Sequence, residues 1–180
     1  MIIGFVGFHS SGKSDLCQYL ESKFGWRHIL KRVVLAEWSG LQENESAWTE
    51  WYRELYREKG SYSVMSSILS ERIRYKRSLN RVILVDAIHT PDEWRAIKNV
   101  DPSSLLAGVF ITRESRRERS SKEDLVLDSS REKYWHSGSG QCLLSEIEWS
   151  FCGIASTELR SLEADTLRQH LVKTGRIYDL

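Results

Sequence analysis

The chain has 180 residues, 41% hydrophobic and 28% charged, with 26 basic against 25 acidic side chains and a formal net charge of +1. That length and apolar content suit one globular domain, and the balanced charge gives no global attraction to nucleic acid or an anionic membrane. The three cysteines, Cys17, Cys142 and Cys152, cannot all pair and lack metal-ligand spacing. No basic segment precedes the apolar Met1–Val6 run, and no apolar stretch reaches the roughly 18 residues a membrane span needs, so a soluble cytoplasmic protein with reduced thiols is expected.

In chain order, Ile2–Val6 is a continuous apolar run, as in a parallel strand buried on both faces. Gly7-Phe8-His9-Ser10-Ser11-Gly12-Lys13-Ser14 follows at once, and from Lys13 the residues Leu16, Leu20 and Phe24 form one stripe of a helix that Gly25 can end in the left-handed conformation. Trp26–Leu35 is a second apolar run interrupted by Lys31-Arg32, expected to be a strand and its exit, ending near Glu37. Helices are predicted over residues 46–58, with Ser46 as cap and Trp48, Trp51, Tyr52 and Leu55 on one side, and over 64–77, the two separated by Gly60. Arg81–Asp86 reads as a strand closing on an aspartate, and Pro91–Lys98 as a helix opened by proline. Leu105–Ile111 is the fourth predicted strand, and the basic run Arg113–Arg119 comes next. The polar segment 120–141, containing Ser137-Gly138-Ser139-Gly140, is expected to be a mobile flap. A fifth strand over 148–154 and a helix over 157–172 complete an alternating pattern that implies a parallel sheet between helical layers.

The pattern G-x-x-x-x-G-K-S between a strand and a helix is a phosphate-binding loop. Glycine at 7 and 12 permits the tight turn that presents backbone amides of Gly7, His9, Ser10, Ser11, Gly12 and Asp15 to phosphate oxygens; Lys13 adds a charge that reaches the β- and γ-phosphates, and the Ser14 hydroxyl takes a magnesium position. Asp86, ending an apolar strand, suits the second magnesium element of such proteins; the alternative is an aspartate capping the next helix. Ala87 follows it, so the acidic pair that activates water in many ATP-hydrolysing motors is missing, and no Asn-Lys-x-Asp guanine signature occurs. Both absences favour phosphoryl transfer to an acceptor over hydrolysis.

Arg113, Arg116, Arg117 and Arg119 fall where cations that spread the charge of a transferring phosphoryl group are needed, with Arg113 and Arg117 the candidates for that role; the alternative is a solvated helix of Arg/Glu pairs. Arg72, Arg74, Lys76 and Arg77 suit a solvated face better. Glu37 is placed at the carboxyl edge of the sheet as a base for an acceptor hydroxyl. His89 is either a contact to an acceptor phosphate or a structural histidine. The aromatic group at 48–56 is either a core stripe or a stacking surface for a base.

On these residues the chain resembles the nucleoside- and nucleotide-kinase group of P-loop proteins, in particular dephospho-CoA kinase-like and deoxynucleoside monophosphate kinase-like sequences. The likeness rests on Gly7–Ser14, the helix ending Phe24-Gly25, the strand Val82–His89 with its Asp-x-Ile-x close, Arg113–Arg119, and Glu148–Ile154 followed by Ser156–Leu159. It implies a three-layer α/β/α P-loop fold with a five-stranded parallel sheet in one domain over 1–180. It further implies an acceptor-binding helical region near 38–80 and a lid near 113–141. The implied activity is transfer of the γ-phosphoryl group of ATP, with Mg2+ held by Ser14 and Asp86, to a nucleotide-like, nucleoside or pantetheine-type small molecule. A nucleotide-dependent switch without kinase activity and a kinase acting on a hydroxyl in nucleic acid are the alternatives, the latter disfavoured by the neutral charge.

Overall fold

The computed structural model of the chain describes residues 1–42, 46–75, 82–119, 133 and 136–178. Five strands form one parallel sheet: β1 (Ile2–Val6), β2 (Arg27–Leu30), β3 (Ile83–Asp86), β4 (Leu105–Phe110) and β5 (Trp149–Cys152), in the order β2-β3-β1-β4-β5. β1 is central, pairing Ile3 with Leu84 of β3 on one side and with Leu105 of β4 on the other. Its alternate side chains enter two cores, the signature of a strand covered on both faces. Ile3 and Phe5 pack with Leu16, Cys17, Leu20, Ala164, Leu167 and Leu171, whereas Ile2 and Val6 pack with Met65, Leu69, Trp94, Ile97 and Leu143.

The first core lies under α1 (Lys13–Phe24) and the C-terminal helix α7 (Thr157–Lys173). α1 buries Leu16, Cys17 and Leu20 and ends at Gly25, left-handed at φ 68°, as the sequence predicts. The second core lies under α4 (Pro91–Val100), the short helix α6 (Gly138–Ser145) and the second half of α3 (Ser46–Tyr75). Within α3, Gly60 takes φ 73° and ψ 154°, so two helical segments meet there at an angle no other residue type adopts readily. α4 starts at Thr90, whose hydroxyl accepts from the Glu93 amide, with Pro91 in the first turn.

Two expectations are corrected. The strand after Trp26 stops at Leu30, and Lys31–Ser39 is a helix, α2. Lys31, Val34 and Leu35 recur at helical spacing, and Val34 and Leu35 pack on Val64 and Ile68 of α3, which a strand would not allow. Ser137–Gly140 is not loop: Ser137 caps α6 by accepting from the Gly140 amide, and Leu143 of that helix is fully buried. Arg113–Arg119 forms the seven-residue helix α5. Most of the predicted flap, together with Lys76, Arg77 and the side chains of Arg72 and Arg74, lies outside the described residues. Among the described residues no helix is long and apolar enough to cross a membrane.

Candidate active site

All five strands run in the same direction, so the loops after β1, β2, β3 and β4 open on one edge of the sheet, where ligands of such sheets bind. A cavity of about 780 Å³ occupies that edge. One end is the loop Gly7–Ser14 with Asp15; the other is walled by Leu30, Lys31, Arg32, Trp48, Tyr52 and His89, with Asp86 and Ala87 between.

The loop is closed on itself. The Lys13 Nζ donates to the carbonyls of Phe8 (2.6 Å) and Gly7 (3.1 Å) and to Ser11 Oγ (3.3 Å), so the ammonium sits in the ring that a phosphate group fills in such loops. Gly12, at φ 91°, begins α1, and a Cβ there would stand 2.6 Å from the carbonyl oxygen of Gly153. Gly153, just past β5, makes the reciprocal approach: a Cβ on it would collide with the Ser11 carbonyl oxygen. Its amide donates to the Phe110 carbonyl at 2.8 Å, which fixes this contact to the end of β4. The loop is thus gripped from β5 by backbone alone, through a glycine that no motif marks.

Ser14 Oγ donates to Asp86 Oδ2 at 2.6 Å, joining the start of α1 to the end of β3. Asp86 is buried, which pushes its carboxyl pKa up, but the facing His28 ring, the Ser14 hydroxyl and the Lys13 charge more than offset that and hold it below the usual carboxylate range. It is therefore ionised at neutral pH. His28 Nε2 stands 3.6 Å from Asp86 Oδ2, an ion-pair distance too long for a hydrogen bond.

The arginines divide differently from the sequence expectation. Arg116 is buried with its guanidinium 4.8 Å from the Phe8 ring centre, bracing the phosphate loop from outside. Arg119 is the one that lines the cavity; its Nη2 pairs with Asp15 at 2.7 Å and its Nη1 reaches the Gly153 carbonyl at 3.5 Å. Arg113 and Arg117 are exposed and do not line the cavity. Neither does Glu37, which lies on an exposed position of α2 because the helix starts at Lys31, where an extended exit was expected. His9, Ser10, Ser11, Gly12, Lys13, Ser14, Asp15 and Gly7 all line it.

At the far end a buried network appears that the sequence reading did not find. Lys31 Nζ donates to Glu93 Oε1 at 2.7 Å and approaches His89 Nδ1 at 3.1 Å, with Lys31 2% and Glu93 0% exposed. Glu93 also accepts from Tyr56 Oη (2.8 Å) and from the His89 amide (2.7 Å). Burial and the adjacent Glu93 charge push the Tyr56 phenol pKa far up, so it remains a donor. One carboxylate thereby fixes α2, α3, α4 and the loop after β3. Trp48 and Tyr52 stack on each other at 5.2 Å between ring centres and present their outer surface to the cavity. The signal for Glu93 was readable: Thr90-Pro91-Asp92-Glu93 is a capping-box pattern. Its carboxylate, however, turns to the His89 amide and into the core, and not back to the cap residue.

The sheet order and the Gly7–Ser14 loop together define a three-layer α/β/α fold of the P-loop type. Among solved structures it is similar to shikimate kinases: that of Acinetobacter baumannii in complex with shikimate (11% identity, TM-score 0.62, covering 96% of this chain and 93% of that one) and that of Bacteroides thetaiotaomicron (12%, 0.62, 95% and 98%). The Aquifex aeolicus shikimate kinase is similar at 15% identity and TM-score 0.56, covering 97% and 98%. No family model matches the sequence, and no curated protein does. At these identities the likeness is one of fold, and it does not single out the dephospho-CoA or deoxynucleoside monophosphate kinase groups.

Proposed function

We propose that this protein is an ATP-dependent kinase that transfers a γ-phosphoryl group to a small-molecule acceptor bound between α2, the first half of α3 and the phosphate loop. The observation that carries this reading is the single cavity holding both a phosphate loop and a second, differently built end. A pure nucleotide switch needs only the first. The second end offers a stacked aromatic wall, cationic Lys31 and Arg32, and a buried Trp48 indole N–H with no hydrogen-bond partner among the described residues. Such a set suits a hydroxyl-bearing molecule with a ring, and its cations favour one that also carries an anionic group, as nucleotides and cyclic hydroxy acids do and nucleosides do not.

ATP fits the loop through the backbone amides of Gly7–Asp15, with Lys13 leaving its carbonyl partners for the β- and γ-phosphates. Magnesium fits Ser14 and Asp86, hard oxygen donors already 2.6 Å apart. The metal supplies charge neutralisation across the phosphates when bound. Arg119, swung from Asp15, would meet the transferring group, with α5 as the start of the lid that carries it. Within the range 38–80, the acceptor-binding part would be the first half of α3, which lines the cavity with Trp48 and Tyr52.

The test is incubation of the protein with γ-labelled ATP and a panel of nucleosides, nucleotides, pantetheine compounds and hydroxy acids. Shikimate, named with the A. baumannii neighbour, belongs in it. Label should pass to at least one acceptor and not in Lys13→Ala. Transfer to none, with ATP still bound, would sink the kinase reading.

A further inference from the structure

Beside Asp86 lie two groups, Cys17 and His28, that the proposed nucleotide chemistry does not need. Cys17 Sγ, a ring nitrogen of His28 and a carboxylate oxygen of Asp86 lie within 4.8 Å of one another. They come from three elements, the second turn of α1, β2 and the end of β3, so their convergence is tertiary. Cys17 is fully buried and outside any disulfide. The His28 side chain is 7% exposed, and its Nε2 is buried with no hydrogen-bond partner among the described residues, although it faces Asp86. A buried imidazole nitrogen at ion-pair distance from a carboxylate but beyond hydrogen-bond reach is incompletely satisfied.

The separation of His28 Nε2 from Asp86 Oδ2, 3.6 Å, is too long for a hydrogen bond. It is, however, close to the edge of a tetrahedron around zinc, about 3.4 Å for metal–ligand bonds of about 2.0–2.3 Å. We propose that Cys17, His28 and Asp86 form a site for a thiophilic divalent cation of the zinc class, which competes with magnesium for Asp86. A thiol, an imidazole and one carboxylate favour zinc or cadmium over magnesium or calcium, which take oxygen donors.

Binding needs no redox partner. The Cys17 thiol gives its proton to solvent and its sulfur forms the metal bond, neutral His28 donates through Nε2, Asp86 through one oxygen, and water completes the tetrahedron. Because Asp86 lines the cavity, the ion enters from the nucleotide side. Once held, it withdraws Asp86 from Ser14, and the proposed phosphoryl transfer stops. That consequence rests on the kinase reading; the binding itself does not.

The experiment is titration of the full chain with Cd2+, read by the ultraviolet sulfur-to-cadmium charge-transfer band, beside Cys17→Ser and His28→Gln. Exposed Cys142 and Cys152 contribute equally to all three proteins. The wild type should show one further equivalent of band that Cys17→Ser lacks. His28→Gln should bind that equivalent about tenfold or more weakly, since even outer-shell partners of metal ligands have effects of that size. Circular dichroism confirms that the variants are folded, and should Cys17→Ser unfold, His28→Gln alone decides. Equal bands in the wild type and a folded Cys17→Ser, or unchanged affinity in His28→Gln, would overturn the site. If an acceptor is found, micromolar Zn2+ should slow transfer in the wild type and much less in Cys17→Ser. Absence of any kinase activity would leave the spectroscopic result standing by itself.

Discussion

Replacing Glu93 by glutamine removes the charge from a side chain that is fully buried and accepts from Lys31, Tyr56 and the His89 amide. Lys31, itself 2% exposed, is then left as a buried cation facing an amide. Breaking one partner of a buried ion pair typically costs about 3–5 kcal/mol, because the survivor keeps its desolvation penalty. His89 Nδ1 remains near the ammonium, so the lower end of that range, about 3 kcal/mol, is expected. Against a total stability of about 5–15 kcal/mol that is a large fraction. With a urea m-value near 2 kcal/mol per molar, the unfolding midpoint should fall by about 1.5 M. Equilibrium urea unfolding of wild type, Glu93→Gln, Lys31→Met and the double variant reads it directly. The double variant should recover about 1 kcal/mol or more over the sum of the singles, since no lone charge remains. A midpoint shift under about 0.3 M for Glu93→Gln, or strict additivity, would refute the account of Glu93 as the clamp of the cavity's far end.

Other outcomes follow from the same geometry. Lys13→Ala should lower transfer to any acceptor about a hundredfold or more while leaving the urea midpoint nearly unchanged, as measured by steady-state kinetics. Gly153→Ala, by forcing a Cβ against the Ser11 carbonyl, should displace the phosphate loop and weaken ATP binding in a fluorescent-nucleotide titration, with a stability loss of about 1–3 kcal/mol. The folded-state pKa of Asp86 is lowered, so its contribution to stability is present above the unfolded carboxylate value of about 3.9 and is lost as pH falls through the folded value. Unfolding followed from neutral pH down through the acid range should show that acid loss reduced in Asp86→Asn. Trp48→Ala should raise KM for the acceptor about tenfold with little change in kcat, the sign of lost ground-state binding.

Local chemistry made much of the donor end readable. β1, the loop and α1 are contiguous, and their signals, a buried run, two glycines and a stripe closed by Gly25, do not depend on the rest of the chain. The α2 boundary was hidden because Leu30, which precedes it, gives no side-chain cap, and because buried Lys31 looks like a solvated break in a strand. That boundary also moves Glu37 from the end of an extended exit to an exposed position on α2, outside the cavity lining. Lys31 and Glu93 are 62 residues apart, and no periodicity links them. Which arginine of α5 enters the cavity depends on Phe8 claiming Arg116, a contact that places Arg119 one turn further on toward Asp15. Gly153 was legible only as part of the predicted fifth strand; its role comes from the approach of two backbones.

The Glu93 clamp ties the helical end of the cavity together and joins it to the loop that follows Asp86. The phosphate loop, Asp86 and Gly153 are anchored to the sheet, whereas Arg32, Trp48 and Tyr52 ride on helices tied to one another through Lys31, Tyr56 and Glu93. If the proposed kinase reading holds, the acceptor end is the one open to redesign, and Trp48, Tyr52 and Arg32 are the cavity-lining positions from which a new preference would be built.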